Sequence, residues 1–208
     1  MKRKIASRLL HERQTLTQAH ITSIKSDHLS FITRTIFPII RGFVKERKER
    51  VYQVPWRTLR RIPRPIRLIK RLKQRTDSII QKLSDSLDQP IRLVFTRRMG
   101  AAFESPNTIY IPHPGRVKET VCFYQLLLHE SAHAACEVLN IKFRSEVMEE
   151  ITVELATLVV MLIEGYNIWD HSLSYVQEHH DYKYPLSDRH WKRIEKETLK
   201  IVKFFLLR

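Results

Sequence analysis

Two cysteines are all that the 208 residues contain, and their spacing excludes a bridge between them. Cys122 and Cys136 fall on what reads as one helix, where fourteen residues correspond to a rise of about 21 Å, far beyond the reach of a disulfide. Buried thiols of a reducing compartment are the plain reading, with Cys136 as a minor candidate for metal ligation.

Long apolar runs are missing as well. The longest, Leu155 to Ile163, is interrupted by Thr157 and falls short of the roughly 18 to 20 residues that a membrane-spanning helix needs. Met1 to Arg8 is basic without the apolar core and small-residue cleavage site of a secretory signal. The expectation is a cytoplasmic globular protein with no membrane span. Its 43% apolar composition supplies a core for one domain plus an extension, or for two small domains.

Acidic residues are scarce in one part of the chain only. Residues 1–75 hold 21 Lys and Arg against 4 Asp and Glu, whereas residues 76–208 hold 16 against 18. The division predicted is a basic, mainly helical N-terminal extension over 1–75 and a second unit over 76–208. Within the extension, prolines at 55, 63 and 65 prevent a long helix before Pro65. Arg57, Arg60, Arg61, Arg64, Arg67, Lys70 and Arg71, with Tyr52 and Trp56 among the preceding residues, suit a nucleic-acid backbone and unpaired bases. A solvated basic segment that touches anionic partners nonspecifically is the competing reading.

Beyond the extension the hydrophobic period changes twice. Ser78 to Leu87 reads as a helix with Ile79, Ile80, Leu83 and Leu87 on one side. Ile91 to Thr96 alternates as a strand, and Ala101 to Phe103 with Thr108 to Pro112 reads as a hairpin turning at Pro106-Asn107. Thr108 to Ile111 is the strand expected to take an extended substrate along its edge.

No proline or glycine interrupts the next stretch, Val117 to Leu139, and it contains His129-Glu130-Ser131-Ala132-His133. Residues four apart lie on one face of a helix, so both imidazoles can meet one tetrahedral zinc ion. Glu130, about 100° around the helix, can reach a zinc-bound water without being a ligand. Zinc brings the pKa of that water toward neutrality, and Glu130 takes its proton as it attacks a peptide carbonyl. The reading is a zinc site, with Glu130 as the catalytic base and His129 and His133 as metal ligands.

Ser145 is a plausible N-cap for a following helix that runs to about Glu164 and stops at Gly165. Glu150 and Glu154 share a face of it, with Glu146 one turn earlier; carboxylates so placed repel each other unless a cation compensates. Glu146 and Glu149 also fit an acidic, solvent-exposed first turn. From Asn167 a polar tail carries His171, Tyr175, His179 and His180; His179-His180-Asp181 reads as a surface loop, from which a His or Tyr can close over the cleft. Ser187 caps a final helix containing Trp191, Ile194, Ile201, Val202 and Phe205.

From about Ile91 to Leu207 the chain resembles the zincin-like metallopeptidase domain of ArdC-type antirestriction proteins of plasmids and phages. The residues that carry the resemblance are Asn107 to Pro112, Tyr124, Leu127 to His133, Glu149-Glu150 with Glu154-Leu155, and the closing amphipathic helix. It implies an α+β zincin-like fold with a small antiparallel or mixed sheet and a gluzincin arrangement, in which a glutamate about twenty residues past the second histidine completes the site. Glu154 fits that position best and Glu150 is second, as a supporting group or alternative ligand. Metzincins are excluded, since their pattern needs glycine at 136 and histidine at 139, where this chain has Cys136 and Leu139. The resemblance further implies single-stranded DNA as a partner of the N-terminal part. The expected function is a zinc metallopeptidase acting on a protein or peptide. The alternatives are a DNA-binding antirestriction protein whose zincin half is a scaffold, and a peptidase of a partner protein without DNA binding.

Overall fold

The computed structural model of the chain describes residues 37, 38, 40, 41, 66–97, 100–113, 117, 120–166, 168–180 and 186–206; for 66–71 it describes the backbone alone. These residues form an α+β arrangement, mostly helical. In chain order the elements are α1 (Ile66–Leu87), β1 (Arg92–Thr96), β2 (Ala102–Glu104), β3 (Thr108–Pro112), α2 (Thr120–Val138), α3 (Glu146–Ile163), α4 (Trp169–His179) and α5 (Asp188–Leu206).

The three strands make a mixed sheet in the order β1-β3-β2, with β3 parallel to β1 and antiparallel to β2. The hairpin expected between β2 and β3 is present. Period-two alternation sends Ile109 and Ile111 inward, where both are fully buried, and the sheet rests on α2 through β2 and β3. Because β3 is the central strand, both its edges are already paired. The substrate-strand role expected for Thr108 to Ile111 is thereby excluded, and among the described residues the outer edges of the sheet belong to β1 and β2.

Helix α3 is buried almost all round, from Ile151 to Met161, as a helix without a polar face must be. Helices α2, α4 and α5 pack around it, and α1 packs on the far side of α2. Helix α2 is thus covered by the sheet, by α1 and by α3. Its polar residues Gln125, His129, Glu130 and Ser131 are buried, a position that costs free energy unless each finds a partner.

Three helices stop in the same way. Asp88, Asn140 and Gly165 adopt positive φ after α1, α2 and α3. The amide one residue further on bonds back to Ser84, Cys136 and Met161 respectively, which satisfies carbonyls that a helix end leaves open. Helix starts follow the sequence too, since Ser145 Oγ accepts from the Met148 amide and Ser187 Oγ from the His190 amide.

Helix α1 begins at Ile66, directly after Pro65, and not at Ser78, so the division expected at residue 75 falls inside a helix. Its Leu72, Ile79 and Leu83 enter the main core, as do Phe37 and Ile40. Arg75 is part of the packing rather than of a cationic arm. Its Nε donates to Glu164 Oε1 at 2.6 Å and its Nη2 to the Phe205 carbonyl at 2.8 Å, while the Tyr124 hydroxyl donates to Glu164 Oε2 at 2.7 Å. One carboxylate after α3 therefore ties α1 and α2 together beside the end of α5. Arg57, Arg60, Arg61 and Arg64 lie outside the described residues; Arg67, Lys70 and Arg71 sit on the backbone of α1 with side chains outside them. Among the described residues no helix is long and apolar enough to cross a membrane.

Candidate metal centre

The pentad lies in the middle of α2, and the helical spacing brings the rings of His129 and His133 to 5.2 Å between centroids. Opposite them, α3 presents Glu149, Glu150 and Glu154. The Glu150 carboxylate faces both rings: Oε2 is 3.4 Å from His129 Nε2 and Oε1 is 3.6 Å from His133 Nε2. A tetrahedral ion with bonds of about 2.0–2.1 Å spaces its ligand atoms about 3.3–3.4 Å apart. Each separation, one to each carboxylate oxygen, is near that length, and one ligand atom from each of the three residues lies within 4.8 Å of the others, a group able to hold a metal ion.

The remaining ring nitrogens are occupied. His129 Nδ1 is 2.9 Å from Glu154 Oε2 and His133 Nδ1 is 2.9 Å from Glu149 Oε1. An imidazole that donates from Nδ1 to a carboxylate keeps its Nε2 lone pair directed at the ion and is made a better ligand. It is Glu150, and not Glu154 as expected, whose carboxylate faces both Nε2 atoms; Glu154, one turn further along α3 and 1% exposed, meets His129 at Nδ1. Spacing on a helix puts the two on one face; the rotation of α3 against α2 decides which of them meets the gap between the rings. Glu149, which the sequence allowed to be a solvent-facing residue of the first turn, backs His133 instead.

Electrostatics follow the contacts. Burial pulls the His129 pKa down, but hydrogen bonds to Glu150 and Glu154, with the charge of Glu130, override it and raise it to about 10. For Glu150 burial works upward, and the bonds from His129 and Tyr175 outweigh it, bringing the carboxyl to about 2. Glu130 is pushed above its ordinary value, chiefly by burial, against the charges of both histidines and a hydrogen bond from the Phe103 amide.

Two contributors were not singled out by the sequence. The first is Tyr175, which the sequence offered only as one of several His and Tyr residues able to close over the cleft; its hydroxyl donates to Glu150 Oε2 at 2.6 Å and its ring lies 5.3 Å from that of His129. Burial, then the bond to Glu150, raises its phenol well above the usual range, so it remains a donor. It stands on α4, which replaces the expected polar loop: His179 ends that helix stacked on Tyr175 at 4.1 Å, and His180 is buried against Trp191. The second contributor is β2. A cleft of about 720 Å³ opens over the histidines, walled by Ala102 and Phe103 of β2 and extending past His133 to Cys136, Glu137 and Phe143. The Phe103 amide that meets Glu130 belongs to the unpaired edge of the sheet.

Such an arrangement can hold a cation between two imidazoles and a carboxylate, and keeps a separate buried carboxyl beside it. A scan against protein-family models, a search of curated proteins and a search of solved structures each return no match for this chain.

Proposed function

We propose that this chain is a zinc-dependent metallopeptidase of the HExxH class, built on a zincin-like domain, with His129, His133 and Glu150 as the ligands and Glu130 as the general base. One observation carries the reading: both Nε2 atoms face the two oxygens of Glu150 at 3.4 and 3.6 Å while both Nδ1 atoms are held by other carboxylates. Two imidazoles, one carboxylate and a side open to a cleft are the ligand set of catalytic zinc sites. Bound there, zinc supplies Lewis acidity toward a carbonyl oxygen and toward water.

The chain's own residues supply the rest. Glu130 takes the proton of the attacking water and returns it to the leaving amine, a task suited to a carboxyl whose pKa lies above its ordinary value. Tyr175 keeps Glu150 oriented through its single hydroxyl proton and forms part of the cleft wall beside the histidines. The edge of β2 offers main-chain groups to an extended peptide, which favours a peptide over a small-molecule substrate. Buried thiols at Cys122 and Cys136 suit a reducing, cytoplasmic setting.

Glu130→Gln tests the reading because it keeps shape and removes the base. Zinc content should remain at one per chain by metal analysis, while hydrolysis of an unfolded protein substrate such as casein falls by about two to four orders of magnitude. Equal hydrolysis by the two proteins would show that Glu130 is not the base.

A further inference from the structure

Helix α5 divides into two opposite faces. Trp191, Ile194, Thr198, Ile201, Val202 and Phe205 point into the core. At about 100° per residue, Arg189, Lys192, Arg193, Lys196, Lys200 and Lys203 all fall within one arc of roughly a quarter-turn on the opposite side, along about 21 Å of helix. The acidic residues of α5, Asp188, Glu195 and Glu197, fall outside that arc.

Solvent-facing helices ordinarily mix charge signs, since like charges three and four residues apart repel. Here Lys200 pairs with Glu197 at 2.7 Å and Arg193 donates to the Lys142 carbonyl. Among the described residues Arg189, Lys192, Lys196 and Lys203 have no acidic partner. Arg41 pairs with Asp188 at the start of α5, and Arg75 of α1 binds the Phe205 carbonyl at its end.

We propose that the outer face of α5 is a docking surface for the phosphate backbone of a nucleic acid. The six cations extend along about 21 Å of helix, a length over which one strand of a duplex carries about six phosphates. No aromatic residue lies on the arc to stack a base, so contact is with the backbone and independent of sequence. A lipid surface is the poorer occupant because an interfacial helix needs its apolar face for the bilayer, and that of α5 is spent on the core.

The test uses the full chain and a fluorescent 20-nucleotide DNA of mixed sequence, single-stranded and duplex, titrated at several salt concentrations. Lys192→Glu with Lys196→Glu is compared with Lys73→Glu with Arg92→Glu, which changes net charge equally at exposed positions on α1 and β1. The α5 pair should weaken binding at least tenfold and reduce the slope of log K against log salt by about 1.4–1.8, or about 0.7–0.9 for each of two phosphates left without a cation. The control pair should change it less than threefold. Equal weakening by both pairs, or none by the α5 pair, would overturn the proposal. So would selective loss of binding to vesicles of 30% phosphatidylserine in phosphatidylcholine with DNA binding retained. Lys192→Gln with Lys196→Gln repeats the comparison with half the charge change should the reversals misfold.

Discussion

Helices α3 and α5 pack against each other, yet they treat charge in opposite ways. On α3, Glu149, Glu150 and Glu154 turn toward α2, and each carboxylate meets a histidine nitrogen or lies within a few ångströms of one. On α5 the cations point away from the protein, four of them without an acidic partner among the described residues. Buried charges cost several kcal/mol each unless they are matched, so the α3 set implies partners from its position alone. Exposed charges cost little, and only their confinement to one arc makes the α5 set informative.

The comparison is broken most severely at Glu150. Removing it as Glu150→Ala should abolish retention of zinc through gel filtration, whereas Glu154→Gln, which removes a charge behind His129, should weaken zinc affinity by roughly 10- to 100-fold. If competition with a chelator ranks the two variants the other way round, Glu154 is the ligand and Glu150 the support.

A smaller effect comes from protons. The raised His129 pKa means that its contribution to stability is whole below its ordinary 6.5 and is lost as pH rises through about 10. The lowered Glu150 pKa gives the opposite sense, with a contribution whole above 4.5 and lost as pH falls through about 2. The two shifts report largely one contact, so the zinc-free protein should gain most from it between pH 4.5 and 6.5. Urea midpoints of wild type against Glu150→Gln across that range measure it, and a difference that grows steadily from about pH 6 to 10 would contradict it. Near pH 7.5, zinc should expel the His129 proton, with about one proton released in calorimetry across buffers of different ionisation enthalpy.

The smallest effect lies away from both charged sets. Tyr124→Phe removes one hydrogen bond to Glu164 and should cost about 1–2 kcal/mol, a few degrees in Tm, without altering zinc content. Loss of zinc in this variant would show that the start of α2 positions its middle more tightly than the packing indicates.

What could be read from the sequence was local. Helical spacing paired His129 with His133, Pro106-Asn107 placed the hairpin, and Ser145, Gly165 and Ser187 marked helix ends, each through backbone chemistry confined to a few residues. What could not be read depends on how elements meet. Beside a parallel β1, β3 becomes the central strand, which moves the usable edge to β2. The crossing of α3 over α2 sets Glu150 against both Nε2 atoms and Glu154 against His129 Nδ1, and brings Glu149 to His133. Tyr175 joins the site from α4, where the residues at 167–180 show no strong apolar period. The change in charge balance suggested a boundary at 75, yet Leu72, Arg75, Phe37 and Ile40 pack with the residues that follow.

Strand β2 is three residues long. A peptide lying along it gains only a few main-chain hydrogen bonds, too few to open a folded segment and with little side-chain selection. What such an edge discriminates is whether a stretch of polypeptide is already extended. For the peptidase proposed here, the rate of cutting would then follow the local unfolding free energy of its target: frayed termini and opened loops would be consumed first, and a protein with no accessible open state would persist beside the enzyme.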